Sequence, residues 1–202
     1  GTETDGSIVC PAAAVGIVDG VVRAVSSDVL DVGPDTEVID ATGQWVMPGF
    51  VDVHTHYDAE VLVGPALSES VRHGVTTVLL GNCSLSTLYS TPVDIADLFS
   101  RVEALPRDHV LKAVDTHKTW DGPEEYIAAL ERLPLGPNIA ALVGHSDLRA
   151  HVMGLDRSTD RSQRPTREET AQMADALEKA LDAGMLGMST MTNPWDKLDG
   201  DR

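Results

Sequence analysis

His54-Thr55-His56 and Cys83 are the residues of this chain whose types and spacing point most directly to chemistry. In an extended strand alternate side chains share a face, so Asp52, His54 and His56 point one way and Val51, Val53 and Thr55 the other. Residues two apart lie roughly 6.5–7 Å from each other along a strand. That separation lets two imidazoles converge on one ion, with metal–nitrogen bonds near ~2.0–2.1 Å. Asp52 is placed to orient a ligating histidine as a supporting carboxylate. Cys83 sits in Gly81-Asn82-Cys83-Ser84. A thiolate suits zinc, whereas a buried free cysteine often only packs and a nucleophilic one needs a neighbouring base. The ligand reading is preferred, because the nearby histidines are better used on the metal. His145, in Val-Gly-His-Ser, is open to three roles: ligand, substrate contact or hydrogen-bonded histidine at the rim. Asp58 either supports the site or is a plain surface carboxylate, and Asn82 joins Asp52, Asp58 and His145 among the supporting or substrate-rim candidates. His73, His109, His117 and His151 are read as structural or solvated.

The elements that must position these residues follow from pattern. Val15–Val18 and Val21–Val25 flank Asp19-Gly20, a type I′ hairpin signal. Glu37–Asp40 reads as a further strand and Thr42-Gly43 as a turn. The apolar run from Trp45 then reads as a buried strand leading to His54. Pro65–His73 is a short helix closed by Gly74, and Val75–Leu80 is a β-branched strand. Thr91 caps a helix with Pro92 at its first position and Ile95, Leu98, Val102 and Leu105 on its apolar face. Val110–Thr119 reads as extended. Pro123 opens a helix with Tyr126, Ile127, Leu130 and Leu133 inward and Pro134 as its stop. Ile139–Val143 is a buried strand and Ser158–Arg167 a polar surface loop. Thr166-x-x-Glu169 is a capping box for a helix with Met173, Leu177, Ala180 and Leu181 on one face. It stops at Gly184, and Met185–Thr190 is a last buried strand.

From residue 46 onward strands alternate with helices, which means parallel strands with right-handed crossovers. A doubly wound sheet and a (β/α)8 barrel both fit, and both gather chemistry at the C-terminal ends of their strands. One rim is therefore expected to carry His54, His56, Cys83, His145 and Ser189/Thr190. Residues 1–48 are expected to be part of a small β domain, and 49–202 to be an α/β layer whose four strands make half a barrel. An open edge of that kind is an aggregation hazard. The remainder of the barrel, a missing C-terminal part or a second chain, is accordingly an expected partner.

The 202 residues carry a formal net charge of -17, which argues against nucleic acid and against an anionic membrane as partners. No stretch approaches the ~18 apolar residues of a membrane span. No basic and apolar leader is visible, and Cys10 and Cys83 read as free thiols of a reducing compartment. The expected location is cytoplasmic.

Val46-Met-Pro-Gly-Phe-Val-Asp-Val-His-Thr-His-Tyr-Asp58 resembles the first barrel strand of the amidohydrolase superfamily. His73-Gly-Val-Thr-Thr-Val-Leu-Leu-Gly-Asn-Cys83 is similar to the N-acyl-D-amino-acid deacylase (D-aminoacylase) branch. Asn138–Ser146, Leu148-Arg149 and Ala183–Thr190 agree with it in order and spacing. The resemblance implies a small β-sandwich paired with a metal-dependent (β/α)8 (TIM) barrel, of which this chain holds the first half. It implies one or two Zn²⁺ ions. His54 and His56 would hold the weaker ion, and Cys83 would ligate the tighter one or bridge the two. Two further histidines and the aspartate that serves as general base would lie beyond Arg202, leaving no catalytic base within the chain. The implied activity is zinc-dependent hydrolysis of a linear amide (a non-peptide C–N bond) in an N-acyl-amino acid, giving a carboxylate and an amino acid. The chain departs from the family at Ser189-Thr-Met-Thr-Asn-Pro-Trp195, where the family continues Ser-Thr-Gly-Leu, so the stereochemistry of the substrate is left open. A cyclic amidohydrolase of the hydantoinase or dihydropyrimidinase type would keep His54 and His56 without needing a thiolate at Cys83. A non-catalytic protein on the same scaffold is the reading from another class.

Overall fold

The computed structural model describes residues 14–103 and 105–191. Cys10 and the stretch from Thr192 onward, including Pro194-Trp195, lie outside them. The chain divides into two units, Gly1–Met47 and Pro48–Arg202.

In the first unit β1 (Ala14–Val18) and β2 (Val21–Ser26) pair antiparallel. Their turn residues Asp19 and Gly20 both take positive φ, 53° and 74°, as a type I′ turn requires. Glu37–Asp40, expected as a strand, is irregular. Asp40 Oδ1 instead accepts from the Thr42 backbone N–H at 2.9 Å and from its hydroxyl at 2.7 Å. That local side-chain turn competes with ladder pairing. The expected turn at Thr42-Gly43 is present, with Gln44 N–H donating to Ala41 O at 2.9 Å.

The second unit runs β3 (Phe50–Asp52), α1 (Glu60–Val63), α2 (Ser68–Arg72), β4 (Val75–Leu80), α3 (Pro92–Val102), α4 (Arg107–His117) and α5 (Pro123–Glu131). It continues with β5 (Asn138–Ala141), β6 (Val143–Gly144), α6 (His145–Met153), α7 (Leu155–Thr159), α8 (Arg167–Asp182) and β7 (Met188–Ser189). β3, β4 and β5 form a parallel sheet in that order, and β6 pairs parallel with β7. No reversal of strand order occurs among the described strands, which is the sequence of neighbours a barrel uses rather than the switch point of a doubly wound sheet. The described strands do not close on themselves.

Three strand expectations of the second unit are corrected. Ile139–Val143 is not one strand: the chain changes partner at Leu142. Leu142 N–H donates to Leu80 O at 3.0 Å, whereas Val143 N–H donates to Gly187 O at 2.9 Å. The crossing is tight, because Gly81 (φ +78°) passes where a Cβ would overlap the Leu142 carbonyl. The run before His54 is a strand only at Phe50–Asp52, and it is not buried. Phe50, Val51 and Val53 are each more than half exposed, because β3 has β4 as its one partner among the described strands. Met185–Thr190 is likewise a strand only at Met188–Ser189.

Two helices open on the caps expected of them, whereas the helix expected over Pro65–His73 is α2 alone, Ser68–Arg72, and α3 ends at Val102, short of Leu105. Thr91 caps α3, its hydroxyl accepting from Asp94 N–H, and the Thr166/Glu169 capping box opens α8. Val110–Thr119 is not extended over most of its length: Val110–His117 belongs to α4, whose Val110, Ala113 and Val114 form a buried face at helical spacing. Ser158 and Thr159, placed in a loop by their polarity, end α7. The core gathers between strands and helices around Val78, Leu80, Leu85, Leu88, Ile95, Leu98, Phe99, Val114 and Tyr126.

Candidate metal centre

The segment leaving β3 keeps the alternation expected of it. Thr55 is buried and donates its hydroxyl to Leu79 O at 2.8 Å, so the middle residue of His-Thr-His is stitched to β4. His54 and His56 consequently share the other side, their ring centroids 5.3 Å apart in an edge-to-face arrangement. Asp52 Oδ1 accepts from the His54 backbone N–H at 3.2 Å, so its carboxylate holds the His54 main chain rather than a ring.

Cys83 arrives from the end of β4. Asn82, buried, donates its side-chain amide to Leu79 O at 2.7 Å and to Thr55 O at 3.4 Å, joining the two strand ends beside the thiol. His54 Nε2 lies 3.0 Å from Cys83 Sγ. One donor atom from each of His54, His56 and Cys83 falls within 4.8 Å of the others. Two imidazoles and a thiol at this spacing fit a borderline-soft ion such as zinc.

The electrostatics around His56 suit the same chemistry. Burial holds its imidazole below the ordinary histidine value, Glu103 opposing this and His54 adding to it. The neutral ring that a metal needs is thereby favoured. His56 Nδ1 is buried without a hydrogen-bond partner among the described residues, while Nε2 faces Glu103 Oε1 at 3.3 Å. Sequence reasoning missed Glu103. It enters from the corner after α3, in a connection between β4 and β5 that contains three helices where one suffices; that excess length was the available signal.

The backbone at the thiol is unusual. Cys83 and Ser84 both take positive φ, 50° and 72°, at a typical cost of roughly 1–3 kcal/mol for each non-glycine residue. The surrounding hydrogen bonds hold it: Ser84 N–H donates to Ser189 Oγ at 3.0 Å, and Ser146 N–H donates to Ser84 Oγ at 2.9 Å.

The remaining sequence candidates separate. His145 is the first residue of α6, half-buried, with Nδ1 3.4 Å from Thr190 Oγ1. Burial, and then the Arg149 guanidinium, lower its pKa. It is not among the residues that converge with Cys83. Asp58 is no surface carboxylate. It is 1% exposed, and Oδ1 accepts from Gly81 N–H at 3.0 Å. Burial pushes its carboxyl up to about 7, its bonds to backbone N–H groups pulling the other way and Asp147 adding to the rise. A carboxyl whose folded pKa is raised binds a proton in the folded state that the unfolded chain has lost, so stability falls as pH rises from the unfolded value toward 7. Each pH unit inside that window is worth at most ~1.4 kcal/mol. Asp58→Asn keeps an acceptor for Gly81 N–H and removes the titration. Urea unfolding of the two proteins at pH 5 and pH 8 is expected to show the wild type losing about 2 kcal/mol relative to the variant; parallel pH profiles would mean that burial does not raise the Asp58 carboxyl.

The profile of the Amidohydrolase family matches residues 37–198. An uncharacterized protein of Mycobacterium tuberculosis is 63% identical over 188 residues, 93% of this chain and 31% of that protein. An N-acyl-D-aspartate deacylase of Alcaligenes xylosoxydans xylosoxydans is 35% identical over 79% of this chain and 29% of its own length. The crystal structure of an N-acyl-D-glutamate deacylase from Bordetella bronchiseptica, complexed with zinc and a phosphonate inhibitor, superposes with a TM-score of 0.69. It is 34% identical and covers 88% of this chain and 34% of that one. The chain thus spans about a third of the length of the proteins it matches.

Proposed function

Because this chain belongs to the amidohydrolase family, we propose that His54, His56 and Cys83 hold zinc and that the protein hydrolyses a linear amide. The proposed substrate is an N-acyl-D-amino acid, cleaved at its C–N bond to a carboxylate and a free amino acid. The carrying observation is the thiol: Cys83 Sγ stands 3.0 Å from His54 Nε2 with His56 in the same group. Support also comes from the similarity to deacylases of N-acyl-D-aspartate and N-acyl-D-glutamate, the latter seen with zinc.

Zinc at such a group supplies Lewis-acid polarisation of the amide carbonyl and an acidified water. The chain's own residues prepare for this. Thr55 and Asn82 fix both strand ends through Leu79 O, burial keeps His56 neutral, and Glu103 is placed to receive the proton on His56 Nε2. Asp52, Asp58 and His145 are assigned supporting positions around that centre. We place the carboxylate that carries the proton to the leaving amine, and the other strands of a (β/α)8 barrel, outside these 202 residues, since the relatives are much longer.

The test is made on the polypeptide as the cell produces it, loaded with zinc and assayed against N-acetylated amino acids of both hands, with dihydrouracil and hydantoin as cyclic comparisons. Release of free D-amino acid, dependent on zinc and abolished by chelation, is expected. Turnover of the cyclic compounds alone would move the assignment to the cyclic amidohydrolases, and no turnover of any of them in zinc-loaded protein would sink it.

A further inference from the structure

The hydroxyl of Ser189 closes over both sides of the Asn82-Cys83 dipeptide. It accepts from Ser84 N–H at 3.0 Å and donates to Gly81 O in a short hydrogen bond, which uses one donor and one acceptor function of a single oxygen. Ser189 comes from the far end of the unit, 105 residues after Ser84, and β7 is held independently by its pairing of Met188 with Val143 and Ser189 with Gly144. Between the two clamped groups the backbone runs through left-handed Cys83 and Ser84, a conformation that persists only where the surroundings over-determine it.

We infer that Ser189 is a positioning residue for the thiol: by bridging Gly81 O and Ser84 N–H it fixes the left-handed turn that aims Cys83 Sγ at His54. Resting on the zinc reading of that group, it adds a residue that acts through the backbone on either side of Cys83 and is not one of the three converging side chains. Ser146 anchors Ser84 separately, through N–H donation to its hydroxyl at 2.9 Å and to its carbonyl at 2.9 Å, so loss of the Ser189 hydroxyl loosens the turn without detaching the loop.

The experiment is a cadmium titration of the reduced protein followed by the thiolate-to-cadmium charge-transfer absorption, with Cys83→Ala as the blank and far-ultraviolet circular dichroism as the fold control. Ser189→Thr and Ser189→Val have the same shape and differ in the hydroxyl. Supporting groups behind a metal ligand are worth about 10–100-fold in affinity, so Ser189→Val and Ser189→Ala are expected to bind cadmium at least about tenfold more weakly, with Ser189→Thr close to the parent. Equal affinity of the Thr and Val variants overturns the inference and leaves the metal site standing. A parent that shows no charge-transfer band beyond the Cys83→Ala blank overturns the metal reading and the inference with it.

Discussion

Cys83→Ala is expected to lower zinc affinity by at least about 100-fold while leaving the fold intact. Even a group that only supports a ligand is worth about 10–100-fold, and Cys83 supplies the one soft donor of the His54–His56–Cys83 group. Removing it leaves, among the described residues, two imidazoles whose rings lie 5.3 Å apart, fewer than the three or four protein donors that zinc sites ordinarily use. The fold should survive, because the turn is fixed through the groups on either side of the thiol. Asn82 bonds to Leu79 O and Thr55 O, and Ser84 to Ser189 and Ser146; none of these bonds involves the thiol. The measurement is bound zinc at equilibrium against a competing chelator, beside a thermal melt in the absence of metal. Unchanged zinc content in Cys83→Ala would remove the thiol from the site. It would then favour the cyclic type of amidohydrolase, which can rely on the two histidines without it. A collapse of the apo melting transition would instead make Cys83 a packing residue.

What the sequence made legible was what lies close along the chain. His54 and His56 share a side because two residues is one strand period, and the buried, stitched Thr55 between them shows that period in force. The caps at Thr91 and Thr166 were readable because each lies three residues from the group it bonds. Cys83 joined the histidines on paper through one step of topology, the adjacency of β3 and β4. α4 was misread because its apolar stretch is short; counted out, Val110, Ala113 and Val114 fit a helical period and not strand alternation. The burial of β3 was overestimated because an apolar run reports what a segment is able to cover and not what covers it. Glu103, Asp147 and Ser189 could not be assigned their roles at all, since each acts on a partner brought near only by tertiary folding.

That last class carries the largest stability prediction, at Asp147. The residue is fully buried, 0% exposed, and its carboxylate takes four donors from one loop. Oδ2 accepts from the Ser86 hydroxyl at 2.6 Å and from the N–H groups of Leu88 and Tyr89 at 3.1 and 3.0 Å, and Oδ1 accepts from Ser90 N–H at 2.7 Å. The carbonyls of the same loop are met from elsewhere. Lys118 Nζ donates to Thr87 O at 3.2 Å and Leu88 O at 2.6 Å, and Trp120 Nε1 donates to Thr87 O at 3.1 Å. Burial brings the Lys118 ammonium down to about 8, with Asp147 opposing the fall. The loop is thus held between an anion that takes its N–H groups and a cation that takes its carbonyls. Asp147→Ala strands four donors, each costing about 1–3 kcal/mol if it stays buried and unpaired. Relaxation and water entry reduce the sum, so the expected loss is about 3–5 kcal/mol, the range for breaking a buried charged contact. That is a large share of the ~5–15 kcal/mol that holds a typical domain. Asp147→Asn should recover little of it, because Asn offers one acceptor where the loop uses two, and turns an N–H₂ toward other donors. The loop begins at Ser84, next to Cys83, so the Ala variant should lose zinc and stability together, whereas Cys83→Ala loses zinc alone. Urea unfolding of the metal-free proteins reads the difference, and a loss below about 1 kcal/mol for Asp147→Ala would mean that water replaces the carboxylate and that the loop does not depend on it.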